Sequence, residues 1–173
     1  MKALSTVRAL SGVRRAWPGR DGSITFELAA PAGKLRAGRV NREGEVWITG
    51  YASDPELPEL TPGVAGRLVV HRFHRRAVVL TDDRAIKFTR QGRANAVAVQ
   101  SSQVAELCDG SGIAAARVLT HSPSRVELAL LPGRTLHDLG GDARGEALLT
   151  VGAQDVGDLG GVPGVQEVLG AGA

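Results

Sequence analysis

The chain has 173 residues, of which 43% are hydrophobic, so it is long enough to build one domain, or one domain and a tail, around a core. Glycine is abundant, with 23 residues, whereas aromatic residues make up only 3%, which predicts an aliphatic core. The formal net charge of +3 permits contact with phosphates or nucleic acid but requires neither.

Cysteine and hydropathy exclude several classes of protein. Cys108 is the only cysteine, which excludes a disulfide framework and a cysteine-based metal cluster. No apolar run approaches the roughly 18 residues of a membrane-spanning helix. The N-terminus also lacks the hydrophobic region and cleavage site of a signal peptide. We therefore expect a cytoplasmic protein that does not bind membranes.

The first 51 residues contain two kinds of apolar spacing. Apolar residues three and four apart predict a short amphipathic helix over residues 2–17, which ends at Pro18–Gly19. From Gly22 the apolar residues alternate with polar ones. This alternation predicts three antiparallel strands, over about residues 24–28, 35–40 and 46–51.

A proline-rich stretch follows these strands. Residues 53–66 read SDPELPELTPGVAG, with three prolines and two glycines, which predicts a linker or an extended surface segment. We place a module boundary in it. The predicted organisation is an N-terminal helix and β-hairpin extension over 1–60, a second module over 61–139, and a glycine-rich tail over 140–173.

The second module combines strands with one helix. Alternation predicts three strands over residues 67–73, 76–81 and 84–89, then a helix over Ala94–Leu107, then two strands over 113–119 and 125–131. The predicted fold class is α+β: an antiparallel β-sheet with one main packed helix, preceded by the β-hairpin extension. We expect a flexible C-terminal tail beyond residue 139.

Positive charge is concentrated in this second module. Between residues 61 and 105 there are seven arginines and Lys87 but only Asp82 and Asp83, a local charge of +6 from eight basic and two acidic residues. The chain has 3 lysines and 18 arginines, and no lysine follows Lys87. This concentration of charge predicts an anion site.

The third strand of the module determines where Lys87 points. Since side chains alternate along a strand, Lys87 shares one face with Ala85 and Thr89, and Ile86 and Phe88 share the other. The lysine is therefore expected to rise between two small neighbours with the core behind it. Such a geometry is typical of a presented cation.

Short motifs resemble one family. Ala85-Ile86-Lys87 matches the A-x-K pattern of the third strand in protein kinases. Residues 126–139, VELALLPGRTLHDL, resemble the fifth strand and hinge of the aminoglycoside phosphotransferase family, and residues 112–119 resemble the entry into its fourth strand. The resemblance covers about residues 64–140 and implies the small ATP-binding lobe of a kinase-like enzyme.

The resemblance also implies roles for particular residues. Lys87 would bind the α- and β-phosphates of ATP, which carries Mg in an intact protein. Leu130 and Leu131 would present hinge backbone groups to adenine, with Leu128 and Val118 as walls of the base site. A partner on the helix would position the lysine, and the candidates are Glu106 and Gln100.

Other parts of the family pattern are missing from the sequence. The turn over residues 71–76, which would cover the phosphates, contains no glycine, although Arg75 or Arg76 could compensate by charge. The family's catalytic and metal-binding aspartates belong to a larger helical lobe, and no matching motif occurs here. We therefore assign no catalytic residue and no metal ligand, and expect a truncated lobe that is inactive alone.

The sequence is compatible with two functions. Intact, a protein of this kind would transfer the γ-phosphoryl group of ATP to a hydroxyl of a small-molecule acceptor. The alternative is a non-catalytic β-rich binding module that contacts an anionic ligand or partner through residues 67–93. Nucleic-acid binding is disfavoured because Phe73 and Phe88 are the only aromatic residues in that stretch.

Overall fold

The computed structural model describes residues 2–132 and contains two antiparallel sheets and two α-helices, which confirms the predicted α+β class. The predicted tail over 140–173, and the part of the second module beyond residue 132, lie outside the described residues. The elements in chain order are α1 (Lys2–Ala9), β1 (Val13–Pro18), β2 (Ile24–Ala29), a 3-10 turn (Pro31–Gly33), β3 (Leu35–Val40), β4 (Val46–Ile48), β5 (Arg67–Arg72), β6 (Arg76–Leu80), β7 (Arg84–Thr89), α2 (Ala94–Cys108), β8 (Val118–His121) and β9 (Arg125–Ala129).

The first sheet has the strand order β1-β2-β3-β4 and contains one strand more than predicted. The prediction of one helix over 2–17 is wrong beyond Ala9, because Gly12 adopts a φ of +78° and β1 begins at Val13. Val13 and Trp17 are four residues apart, and an even spacing also places two side chains on the same face of a strand. The apolar pattern was therefore compatible with both structures.

Most of residues 53–66 are exposed, as a surface segment would be, but two leucines of this segment enter the core, which the prediction missed. The side chains of Leu57 and Leu60 are 0% and 4% exposed. Successive turns carry them inward, since the N–H of Leu57 bonds to the carbonyl of Asp54 and that of Leu60 to the carbonyl of Leu57. Both leucines pack in the largest core cluster, which contains Leu35 of the first sheet and Leu68, Ala77, Val79, Ile86 and Phe88 of the second.

The second sheet has the order β5-β6-β7-β9-β8, so β9 lies directly beside β7. The predicted three-strand meander is confirmed, and β7 has the predicted bounds. Strand β8 begins at Val118 rather than Ile113, because pairing with β9 starts only there.

The two helices cover different sheets. Ala3 and Val7 of α1 pack on Phe26 and Val40 of the first sheet. Helix α2 has nearly its predicted bounds and packs Ala94 and Ala98 against Val126 and Leu128 of β9. Within residues 2–132, no helix is both long and apolar enough to cross a membrane.

Candidate functional site

Lys87 lies at the centre of the second sheet. Its strand pairs with β6 on one side and β9 on the other, and Lys87 is opposite Val78 and Val126. The predicted division of faces is confirmed, because Ile86 and Phe88 are 8% and 0% exposed within the core whereas Lys87 is only partly buried. The lysine points to the face that α2 covers.

A cleft of about 280 Å³ opens between this face and α2. Its walls are mostly apolar, and its polar side chains are those of Lys87, Gln100 and Ser101. The remaining lining residues are Val97, Val104, Ala116 and Leu128. A cation at the base of an apolar cleft is an arrangement that suits a ligand with one anionic and one apolar part.

The two predicted lysine-positioning residues are in different places. Gln100 lines the Lys87 cleft, whereas Glu106 lines a second cleft with Asp109, Arg117 and Val118. Glu106 is in the last turn of α2, six residues beyond Gln100. Among residues 2–132 no hydrogen bond or ion pair joins Lys87 to either side chain. The structure therefore brings Gln100, and not Glu106, to the lysine.

The electrostatic surroundings of Lys87 favour an anion. Burial lowers the pKa of the Lys87 ammonium, and the positive charge of Arg76 lowers it further. Both effects raise the free energy of the charged form. No carboxylate lies within ion-pair distance among the described residues, so a bound anion would relieve this cost.

The candidate hinge begins where β9 ends. Ala129 is opposite Arg84 at the start of β7, three residues or about 10 Å along the strand from Lys87. The N–H of Leu130 bonds to the carbonyl of Asp83 at 3.0 Å. This N–H already has an acceptor and is not free to bind adenine. The predicted hinge contacts therefore reduce to the carbonyl of Leu130 and the backbone groups of Leu131. The Leu130 and Leu131 side chains are 39% and 40% exposed.

The walls predicted for a base are also divided between the two clefts. Leu128 lines the Lys87 cleft, whereas Val118 lines the cleft that contains Glu106. The two residues are nevertheless opposite each other in the β8–β9 pair. An apolar group placed beside Lys87 would therefore contact Leu128 first.

The turn between β5 and β6 is short and rigidly held. Only three residues separate the paired Arg72 and Arg76, and the middle one, His74, has a φ of +53°. This left-handed conformation is one that glycine adopts without strain. The N–H of His74 bonds to Oδ2 of Asp54 at 2.8 Å, which fixes the turn without glycine.

Asp54 belongs to a buried polar network that sequence reasoning missed. Its Oδ2 is 3.3 Å from Nε2 of His71, and the N–H of His71 donates to Oε1 of Glu27 at 2.8 Å. All three side chains are buried, with exposures of 4% or less. The residues are 17 and 44 positions apart along the chain, so only their buried position within predicted strand and turn segments could have signalled the network.

Metal binding has no support in this region. Although His71 and Asp54 are adjacent, no group of three or more His, Cys, Asp and Glu side chains within residues 2–132 is arranged to hold a metal ion. The network instead connects β5 to the first sheet through Glu27, and to the segment over residues 53–66 through Asp54.

Comparisons with family models, with curated proteins and with solved structures found no match to this chain. The functional assignment therefore depends on the Lys87 cleft and its neighbouring strands.

Proposed function

We propose that residues 61–132 form the nucleotide-binding lobe of a kinase-like, ATP-dependent phosphotransferase. The observation that carries the proposal is the place of Lys87: a partly buried lysine on a central strand, facing the packed helix, in a cleft with an apolar wall. Its neighbour β9 leads directly to the candidate hinge. The order of strands and helix along the chain supports the same assignment.

Each group has a role in this proposal. Lys87 binds phosphate oxygens of ATP as a point charge, and Gln100 orients its ammonium as a neutral partner. Leu128 contacts the base or the sugar, and backbone groups of Leu130 and Leu131 bind adenine. The lobe binds and orients the nucleotide, while transfer to a hydroxyl of a small-molecule acceptor requires a catalytic aspartate from elsewhere. The single free thiol of Cys108 fits a reducing, cytoplasmic setting.

Thermal unfolding of the chain with increasing ATP and Mg tests the proposal. A ligand that binds only the folded state at 100 times its Kd stabilises it by about 2.7 kcal/mol. We expect ATP to stabilise the chain at lower concentrations than tripolyphosphate, because only ATP carries adenine for the hinge. If ATP and tripolyphosphate stabilised the chain at the same concentrations, the result would contradict adenine binding by the hinge.

A further inference from the structure

A third cleft, which we call the arginine cleft, lies between the first sheet and the turn that joins β5 to β6. It measures about 650 Å³, which is larger than the cleft beside Lys87. Its lining contains five arginines and one carboxylate: Arg20, Arg39, Arg72, Arg75, Arg90 and Asp21. No residue of α2, β7 or β9 lines it, so it is separate from the candidate nucleotide site.

Two of the five arginines are neutralised within the protein. Arg39 forms an ion pair with Asp21 at 2.5 Å, and Arg90 lies 3.6 Å from Glu56. Arg20, Arg72 and Arg75 have no acidic partner among residues 2–132. Three positive charges therefore face one cleft without compensation, which raises the local anion concentration.

Arg72 is the most constrained of the three. Its guanidinium carbon is 5.2 Å from the centre of the Trp17 ring, and its buried Nε has no hydrogen-bond partner among the described residues. Burial, followed by Arg75 and Arg76, lowers the pKa of Arg72. A buried donor without an acceptor is costly. The cation–π contact with Trp17 holds the Arg72 guanidinium beside the ring.

The cleft is also preorganised by its backbone. Asp54 holds the β5–β6 turn through the N–H of His74, and the carbonyl of His74 accepts a 2.6 Å hydrogen bond from Nε of Arg90. Phe73 and His74 stack with ring centres 3.8 Å apart. The arginines therefore project from a fixed turn, which lowers the entropy lost when a ligand binds.

We propose that this cleft is a binding site for a small, multiply charged phosphate compound, with Arg72, Arg75 and Arg20 as its main ligands. Arginine forks match phosphate oxygens with two parallel hydrogen bonds, and the guanidinium groups of Arg72, Arg75 and Arg20 are the donors that line this cleft. The volume of about 650 Å³ suits a small molecule. A nucleic-acid strand would need stacking surfaces along its path, and the one tryptophan ring here is already covered by Arg72.

Trp17 supplies the measurement. In a Trp47→Phe background Trp17 is the only tryptophan, because the chain has 2 in total. Titration with tripolyphosphate at low salt is expected to change its fluorescence with saturation. Arg75→Gln and Arg20→Gln are expected to raise the Kd at least tenfold each, and Arg72→Gln to remove binding. Unfolding curves confirm that each variant is folded.

The control is Arg67→Gln, which removes the same charge from an exposed position at the opposite end of β5. It is expected to leave the Kd within twofold, and an equal loss of affinity would show a diffuse charge effect and overturn the site. Tighter binding of a single-stranded oligonucleotide than of tripolyphosphate would also overturn it. Finally, Lys87→Met is expected to leave this binding intact. Because ATP also carries a triphosphate, the comparison of ATP with tripolyphosphate at Lys87 is made in the Arg72→Gln variant, where ATP is still expected to stabilise the chain, so the two sites fail independently.

Discussion

The backbone N–H of His71 donates a hydrogen bond of 2.8 Å to Oε1 of Glu27, and both side chains are 0% exposed. Glu27 is in the second strand of the first sheet, and His71 is in the edge strand of the second. The Glu27 carboxylate therefore accepts a hydrogen bond from an N–H group of the edge strand. Without this carboxylate, that N–H would be buried without an acceptor.

Replacement of Glu27 tests this connection. Glu27→Met keeps a side chain of similar length but removes the carboxylate acceptor, so the N–H of His71 is left buried and unsatisfied. We expect this to lower the free energy of unfolding by about 1–3 kcal/mol. Glu27→Gln keeps a carbonyl oxygen and is expected to cost less. Urea unfolding measures both variants. Glu43→Met, at an exposed position, is the control and is expected to change stability by no more than about 0.5 kcal/mol.

The lowered pKa of Asp54 predicts how the free energy of unfolding depends on pH. Burial raises the pKa of its carboxyl, but hydrogen bonds from His71 and from the N–H groups of His74 and Glu56 outweigh burial and hold the pKa below its ordinary value. A lowered folded-state pKa means that this stabilisation is fully present above about pH 4 and is lost as the pH falls further.

The variant Asp54→Asn removes that titration. Its free energy of unfolding is expected to be lower than that of the wild type at pH 7 and to fall less steeply between about pH 5 and pH 2. The exposed Asp82→Asn serves as the control and is expected to leave the free energy of unfolding at pH 7 within about 0.5 kcal/mol of the wild type. Parallel wild-type and Asp54→Asn curves across the acid range would contradict this role.

Leu57 tests whether the proline-rich segment belongs to the core. Because the side chain is 0% exposed, Leu57→Ala removes buried methyl groups and leaves a cavity, at a cost of about 2–5 kcal/mol. Leu107→Ala makes the same chemical change at a residue that is 82% exposed and is expected to be near neutral. Similar unfolding midpoints for the two variants would show that the segment does not pack as described.

Local sequence patterns predicted the surroundings of Lys87 well. The bounds of β7, the two faces of that strand and the helix after it all follow from short-range periodicity, which depends on neighbouring residues alone. The burial of Leu57 could not be predicted in this way. Residues 53–66 have the composition of a surface loop. The side chain of Leu57 is buried only because residues of both sheets pack around it in the tertiary structure.

The same limit applies to the candidate sites. Sequence spacing left Gln100 and Glu106 as alternatives, and the direction of α2 across the sheet brought only Gln100 into the Lys87 cleft. Sequence spacing did not predict the arginine cleft either, because Arg20 lies between β1 and β2 and Arg39 in β3, whereas Arg72 ends β5 and Arg75 lies in the turn after it. Only tertiary packing brings these charges together.

Lys87 is expected to reduce the stability of the free protein. Because its pKa is lowered, the charged form is disfavoured in the folded state, and this penalty is complete below the folded-state pKa and disappears as the pH rises towards 10.5. Lys87→Met is therefore expected to raise the unfolding midpoint at pH 7. A fall of several degrees would show instead that the ammonium supports the fold.

The affinity of the chain for ATP with Mg, measured by titration calorimetry in an Arg72→Gln background with and without Lys87→Met, tests the central claim most directly, because this background lacks the arginine cleft as a second triphosphate site. Lys34→Met, which removes the same side chain from an exposed position just before β3, is the matched control. We predict that Lys87→Met weakens ATP binding at least tenfold and that Lys34→Met leaves it unchanged. Equal affinity with and without Lys87→Met, or no binding by the folded chain that keeps Lys87, would contradict the assignment of Lys87 to a nucleotide site.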